Sequence, residues 1–459
     1  MQNKKTNFFH RKQLINSSIW IFIGQFSSQF LRLASNLIMT RLLVPEMFGV
    51  MAIANSVMIG LFLCSYVGIH HSIVQNPRGE EPSFLNTAWT IQVVRGFIIC
   101  VFALIISLIF YIVNQIEIFP DHSVYSDSTL PYIIAVLAIS PLISGFESTN
   151  LALAYRKMLV KKLTQIELAS QLIGLLAMVS FAFVYQTIWS LVVGSIVVSV
   201  AKVIAGYVAL PGQKNHFAWD KSAVHELIHF GKWLLLTAIM GFFVRYSDRL
   251  ILGALIQPAL LGVYVIAAFI INAIQDAIHA WSGKIMLPVL SEVFRESPES
   301  MSKVYYKFAI PFNITTLFIS GLLYGAGNVV INFLFTDEYY AAGKMLEILS
   351  LSLLGSSIIF ADQCYLALGR SKLSVPQNVI QLIILFIGIT PAYKHYGIDG
   401  AVYVVGTAVL FALPLTWYLL RRIGILNWKL ELLVLPAFFI GYGVSELVVI
   451  VFNYFGSLV

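Results

Sequence analysis

Apolar stretches of 18 or more residues follow one another along nearly the whole chain, separated by short polar turns. Each is long enough to cross a bilayer as a helix. The pattern predicts thirteen spans, with approximate limits 17–43, 46–69, 88–113, 131–155, 165–185 and 188–210, then 232–256, 259–285, 308–335, 342–368, 377–393, 400–420 and 431–455. On two of them a polar stripe interrupts the apolar pattern. Gln25, Ser28, Gln29, Arg32, Ser35 and Asn36 share one helix face of the first span, and Thr237, Gly241, Arg245, Asp248 and Arg249 share one face of the seventh. Such a stripe cannot face acyl chains cheaply, so each is expected to face protein or a water-filled cavity.

The two striped spans are copies. Displacing the chain by 213 positions aligns Trp20 with Trp233, Arg32 with Arg245, Pro45 with Pro258, Gly49 with Gly262 and Ala54 with Ala267. From Trp20 to Ala54 there are 11 identities in 35 ungapped pairs, where roughly three are expected by chance in so apolar a composition. A charge at mid-bilayer costs roughly 2.5–3.5 kcal/mol on insertion scales, so a chain that carries it twice at equivalent places is expected to use it. The repeat divides the chain into two six-helix lobes, 1–212 and 213–424, with a further transmembrane segment at 425–459. Six being even, the lobes are parallel repeats about an axis along the membrane normal. The fold class is an all-α polytopic membrane protein of two pseudo-symmetric six-helix bundles plus one extra C-terminal helix. Between the lobes, Gln213 to Lys232 carries Ala223, Val224, Leu227 and Ile228 at helical spacing, which reads as an amphipathic interfacial helix or an ordinary solvated linker.

Composition agrees on class, with 59% hydrophobic and 11% charged residues. Orientation follows from the basic residues. With the amino terminus inside, 21 of the 29 Lys and Arg fall in cytoplasmic segments, whereas only Arg41, Lys344 and Lys394 fall outside. The same spread explains the net charge of +7 without nucleic acid. The first apolar run is too long and too polar for a cleaved signal peptide. Cys64, Cys100 and Cys364 all lie in spans and have no disulfide or metal spacing. Walker, HExxH, CxxC and GxSxG sequences are absent, and no cofactor is expected.

Five basic residues remain inside spans: Arg32, Arg95, Lys202, Arg245 and Arg249. Guanidinium forks match phosphate and carboxylate oxygens and stay charged at any relevant pH. Arg32, Arg245, Arg249 and Arg95, with Gln25 and Gln29, are therefore the candidate substrate-binding residues. Competing readings are mutual neutralisation of Arg245 and Asp248, three apart on one helix, and snorkelling of Arg95 and Lys202 to the surface. Asp248 and Asp276 are candidates for coupling to H+ or Na+, against the plainer reading that a neighbouring arginine or amide satisfies them.

The segment Arg41-Leu-Leu-Val-Pro-Glu-Met-Phe-Gly49 resembles the signature after the first helix of the polysaccharide transporter family, the Wzx-like oligosaccharide flippases of the multidrug/oligosaccharidyl-lipid/polysaccharide superfamily. Ser247-Asp-Arg-Leu-Ile-Leu-Gly253, Leu261-Gly-Val-Tyr-Val-Ile-Ala267, Ile73-Val-Gln75 and Asn86-Thr-Ala-Trp89 are similar to further family patterns. The resemblance implies two bundles forming a V-shaped cleft open alternately to each side of the bacterial inner membrane. It implies translocation of polyprenyl-pyrophosphate-linked oligosaccharide repeats for O-antigen, capsule or exopolysaccharide. The expected partners are that substrate, membrane lipids, and a polysaccharide polymerase and glycosyltransferases. Two alternatives stand beside it: an ion-coupled drug exporter of the same superfamily, and a membrane glycosyltransferase or polymerase.

Overall fold

Pro45 and Pro258 each open a helix, and each follows an extended residue: Val44 at φ −76°, ψ 156° and Gln257 at φ −68°, ψ 153°. Proline suits a first turn, where no carbonyl waits for its missing N–H and its φ is already helical. The two copies of the sequence repeat thus start their second helix in the same way. The computed structural model describes residues 2–66 and 68–456, with side chains described from Ile19 onward except at 67, 230–234, 236, 237, 453, 455 and 456. Among the described residues there is helix, turn and coil but no strand.

Two compact units make up the chain, Met1–Phe242 and Phe243–Val459. The first holds α1 (Gln2–Met39), α2 (Pro45–Cys64), α3 (Ile69–Gln75) and α4 (Pro82–Gln115). The short helices α5 (Leu130–Leu137), α6 (Ile139–Gly145) and α7 (Asn150–Arg156) follow, then α8 (Val160–Tyr185), α9 (Trp189–Val208) and the start of α10 (Lys221–Leu255). The second takes the rest of α10 with α11 (Pro258–Trp281), α12 (Leu287–Glu296), α13 (Met301–Leu334), α14 (Ala342–Ser350) and α15 (Ser356–Ala367). It ends with α16 (Ser374–Thr407), α17 (Leu413–Arg422), α18 (Trp428–Leu433) and α19 (Pro436–Gly456).

All thirteen apolar segments read from the sequence fall on helix. Among the described residues nine helical stretches are long and apolar enough to cross a membrane, and Leu130–Gly145 with Asn150–Arg156 forms a tenth, bent by 60°. The first and seventh segments lie in α1 and α10. The eleventh and twelfth share one stretch, Ser371–Arg422, broken at Gly397. Gly397 has φ 66° and ψ −155°, a conformation that a Cβ would strain, and this lets the chain leave one helical direction for another.

Glycine also sets helix spacing. A Cβ on Gly96 of α4 would come within 2.6 Å of Pro141 O and 3.1 Å of Gly145 Cα, so α4 and α6 touch backbone to backbone. In the second unit Gly321 of α13 meets Phe438 O, and Gly441 of α19 meets Phe318 O. The final span is therefore packed into the second unit rather than hung from it.

The segment before α10 is stitched onto the first unit. Asn215 Nδ2 donates to Thr149 Oγ1 at 2.7 Å, Ala218 N to Thr90 Oγ1 at 3.0 Å and Asp220 N to Thr87 Oγ1 at 3.0 Å. Phe217 packs on Trp89, ring centroids 4.9 Å apart. Arg78 then binds Asp220 at 2.9 Å, Glu226 at 3.0 Å and Glu81 at 2.8 Å. Ala223 and Leu227 of the expected interfacial helix are buried against Ile73, Phe84, Leu85 and Ala88, whereas Ile228 is exposed. Two of the four apolar positions therefore cover protein.

Candidate functional site

Core packing explains some matched residues of the repeat and not others. Val50, Ile53 and Ala54 are 2%, 0% and 0% exposed, and their counterparts Val263, Ile266 and Ala267 are 5%, 1% and 0% exposed. Core packing accounts for those identities. Arg32 and Arg245 are both exposed within their units, so packing does not account for them.

On α1, one side meets α8: Thr164 crowds Gly24, and Ser28 Oγ donates to Gln171 Oε1 at 2.9 Å. Ile19, Ile23, Phe26 and Phe30 are exposed. At 3.6 residues per turn, Phe26 and Phe30 lie roughly 120–160° around the helix from Arg32. Gln25 and Gln29, both half-buried, lie within about 60° of it. The amides and the guanidinium therefore form one polar strip, away from the apolar face. Arg32 has no ion pair among the described residues.

On α10, three turns of the second unit carry the opposite number of that strip. Arg245 Nη2 donates to Asp276 Oδ1 of α11 at 2.7 Å, with 46% of the arginine and 21% of the aspartate side chain exposed. The pairing of Arg245 with Asp248, open from the sequence, is not the one formed. Asp248 Oδ2 instead accepts from the hydroxyl of fully buried Tyr264. The other oxygen, Oδ1, is buried with no hydrogen bond, as is Nε of Arg249. The Arg249 guanidinium lies 5.3 Å from the Tyr246 ring centroid, a distance at which a cation is drawn to the ring face. His279 is exposed one turn below Asp276, and Gln275 Nε2 donates to Ser352 Oγ at 3.2 Å.

Arg95 belongs to another place. It closes the C-terminal end of α2, donating from Nη2 to Phe62 O at 2.8 Å and from Nε to Ser65 Oγ at 3.1 Å. It also stacks 4.2 Å from the Phe62 ring centroid. A cation at a helix C-terminus offsets the partial charge of the free carbonyls. Lys202 of α9 does not snorkel to the surface: its Nζ pairs with Glu147 Oε1 at 3.3 Å. Glu147 sits in the break between α6 and α7, where Gln92 Nε2 spans Ser144 O, Gly145 O and Glu147 O at 3.3, 3.2 and 3.0 Å. His70, in the first turn of α3, borders the same region. No group of three or more His, Cys, Asp or Glu among the described residues could hold a metal ion.

Sequence reasoning did not find the Glu147–Lys202 pair or the anchoring of residues 215–220 by Asn86, Thr87 and Thr90. Asn86-Thr-Ala-Trp89 was visible only as a family-like pattern. Its polar members on a helix flank were a signal for an extended segment lying against them.

Comparison with known proteins narrows what this arrangement belongs to. Residues 38–344 match the model of a family described as polysaccharide biosynthesis protein. The chain is 19% identical over 299 residues to the lipopolysaccharide biosynthesis protein WzxC of Escherichia coli (strain K12), a match covering 65% of this chain and 58% of that relative. Its fold is similar to the lipid II flippase MurJ in an inward closed conformation, with TM-score 0.66 and 13% identity over 96% of this chain and 99% of the other. It is also similar to an inward-facing multidrug resistance MATE family transporter of the MOP superfamily, with TM-score 0.62 and 14% identity over 86% and 94% of the two chains. At those identities the solved structures establish the two-lobe helical fold alone.

Proposed function

The chain belongs to the polysaccharide biosynthesis protein family, and on that premise we propose that it is a Wzx-like multi-pass membrane transporter of the MOP superfamily that flips polyprenyl-pyrophosphate-linked oligosaccharide from the cytoplasmic to the outer leaflet by alternating access. The observation that carries this reading is the duplicated, exposed guanidinium, Arg32 on α1 and Arg245 on α10, whereas the matched residues Val50, Ile53 and Ala54 of α2 and Val263, Ile266 and Ala267 of α11 are buried. A diphosphate offers a guanidinium fork a pair of oxygens, while Gln25 and Gln29 supply neutral donors and acceptors beside Arg32. The polyprenyl tail stays in lipid.

The Arg245–Asp276 pair gives the cycle a return stroke. An arriving diphosphate, more highly charged than one carboxylate, draws Arg245 from Asp276. Its release lets the pair re-form. Asp276, freed while substrate is bound, is then the carboxylate that takes H+ or Na+ in exchange. Asp248 is less suited because Tyr264 already holds it. Arg249, beside Tyr246, reinforces the positive field without direct contact. The site of action is the bacterial inner membrane with the amino terminus cytoplasmic. The product passes to a polysaccharide polymerase.

Replacing Arg32 and Arg245 together by Gln in a strain deleted for this protein tests the proposal. Surface polysaccharide should be lost and lipid-linked repeat should accumulate inside. Normal polysaccharide at equal protein level refutes the role. Export of organic cations, the multidrug alternative, is disfavoured by the cationic strip, and uptake of a cationic dye by proteoliposomes would favour it.

A further inference from the structure

Within the first unit lies a cavity of about 320 Å³ that the flipping site does not use, since it contains no residue of α1. Helices α2, α3, α4, α6 and α9 surround it, and its charged and titratable lining consists of Arg95, Lys202, Glu147, His70 and Tyr66. It opens at the 60° break of a membrane-spanning segment. Broken backbone at membrane depth persists where it is buried in protein or lines a wet cavity, and such breaks are where membrane carriers hold polar ligands.

The charge inside is unbalanced. In the lining Lys202 has one carboxylate, Glu147, at 3.3 Å, while Glu167, outside the lining, also acts on it electrostatically. Arg95 has a carbonyl, a hydroxyl and two ring faces, of Phe62 and Tyr66, none with a full negative charge. Its Nη1 makes no hydrogen bond among the described residues. Among the lining residues two cations face one anion, which leaves an electrostatic demand for one more negative group between Arg95 and Lys202. We propose that this cavity is an anion site taking a single oxyanion, phosphate or carboxylate, between Arg95 and Lys202. Glu147 is its built-in occupant and competes for Lys202. The oxyanion is free in the cytoplasm or carried by a phospholipid headgroup. The proposal does not depend on the flippase reading.

Opposed variants test it on the purified full chain in a phosphate-free buffer, using calorimetric titration with inorganic phosphate and, separately, with short-chain phosphatidic acid. Lys202→Gln should weaken binding by about tenfold, and Glu147→Gln, which removes the competitor, should tighten it by about tenfold. A merely structural pair predicts the opposite for Glu147→Gln, because losing a partner loosens the pocket. If Lys202→Gln does not fold, the sign of the Glu147→Gln effect decides alone. Response to phosphate identifies a free anion, and response to phosphatidic acid alone identifies a lipid headgroup. Absence of binding to both, or a Glu147→Gln variant that is unchanged or weaker, overturns the proposal. Transport is not measured, so failure here leaves the flippase assignment untouched.

Discussion

Arg245 holds Asp276 at 2.7 Å across α10 and α11, whereas Arg32, its counterpart in the repeat, has no ion pair among the described residues. The sequence repeat is symmetric and its electrostatics are not. One arginine must be released before it can bind a ligand, and the other is ready.

That asymmetry separates stability from activity. Arg32→Gln should change unfolding stability by no more than about 0.5 kcal/mol, as for an exposed group without a partner. Arg245→Gln should cost about 1 kcal/mol, a value already reduced for the half-exposed pair. Both should depress polysaccharide export. Unfolding in detergent beside export at matched protein level checks this, and a less stable Arg32→Gln would contradict it.

Tyr264→Phe should cost about 1–3 kcal/mol, because Asp248 Oδ2 would join Oδ1 as a buried oxygen without a donor. Adding Asp248→Asn should recover part of that loss by removing the stranded charge. A double-mutant cycle in thermal unfolding reads the coupling, and additive losses would show that the two groups act independently.

Gln92→Leu should destabilise the first unit by about 1–3 kcal/mol, since one side-chain amide serves three carbonyls at the α6–α7 break. Gln92→Glu should fare no better, its carboxylate facing carbonyl oxygens. Hydrogen exchange at 145–150 is the local readout, and unchanged protection there would count against the assignment.

The clamp on residues 215–226 should resist acid. Arg78, Ser222 and the Ser222 backbone hold the Asp220 carboxyl down to about 2, from an ordinary value of 3.8, and Asn76 and Arg78 lower Glu226. A depressed folded value means the stabilisation is complete above about 4 and disappears as pH falls through about 2. Limited proteolysis of the linker should therefore be constant from pH 7 to near pH 4. Arg78→Gln should make it cleavable at neutral pH.

Much of this was legible from residue order. The thirteen apolar runs fall on helix because bilayer-length hydropathy and internal backbone hydrogen bonding are local demands that any single segment must meet. Pro45 and Pro258 announce helix starts for an equally local reason. The repeat of Arg32 in Arg245 was visible because duplication preserves spacing. Arg95 shows the limit: residue order offered substrate binding or snorkelling for it, and it caps a helix 30 positions away in sequence, at Ser65.

Residue order by itself determined the all-helical two-lobe class, where the apolar segments lie and which of them carry charge. Tertiary structure alone decided who meets whom: Asp276 and not Asp248 for Arg245, Tyr264 for Asp248, Glu147 for Lys202, and Thr87 and Thr90 for the linker. The physical reason is that a partner depends on how far two helices approach and how each is rotated about its axis. Those settings come from contacts remote in sequence, such as Gly96 against Gly145, which no single helix encodes.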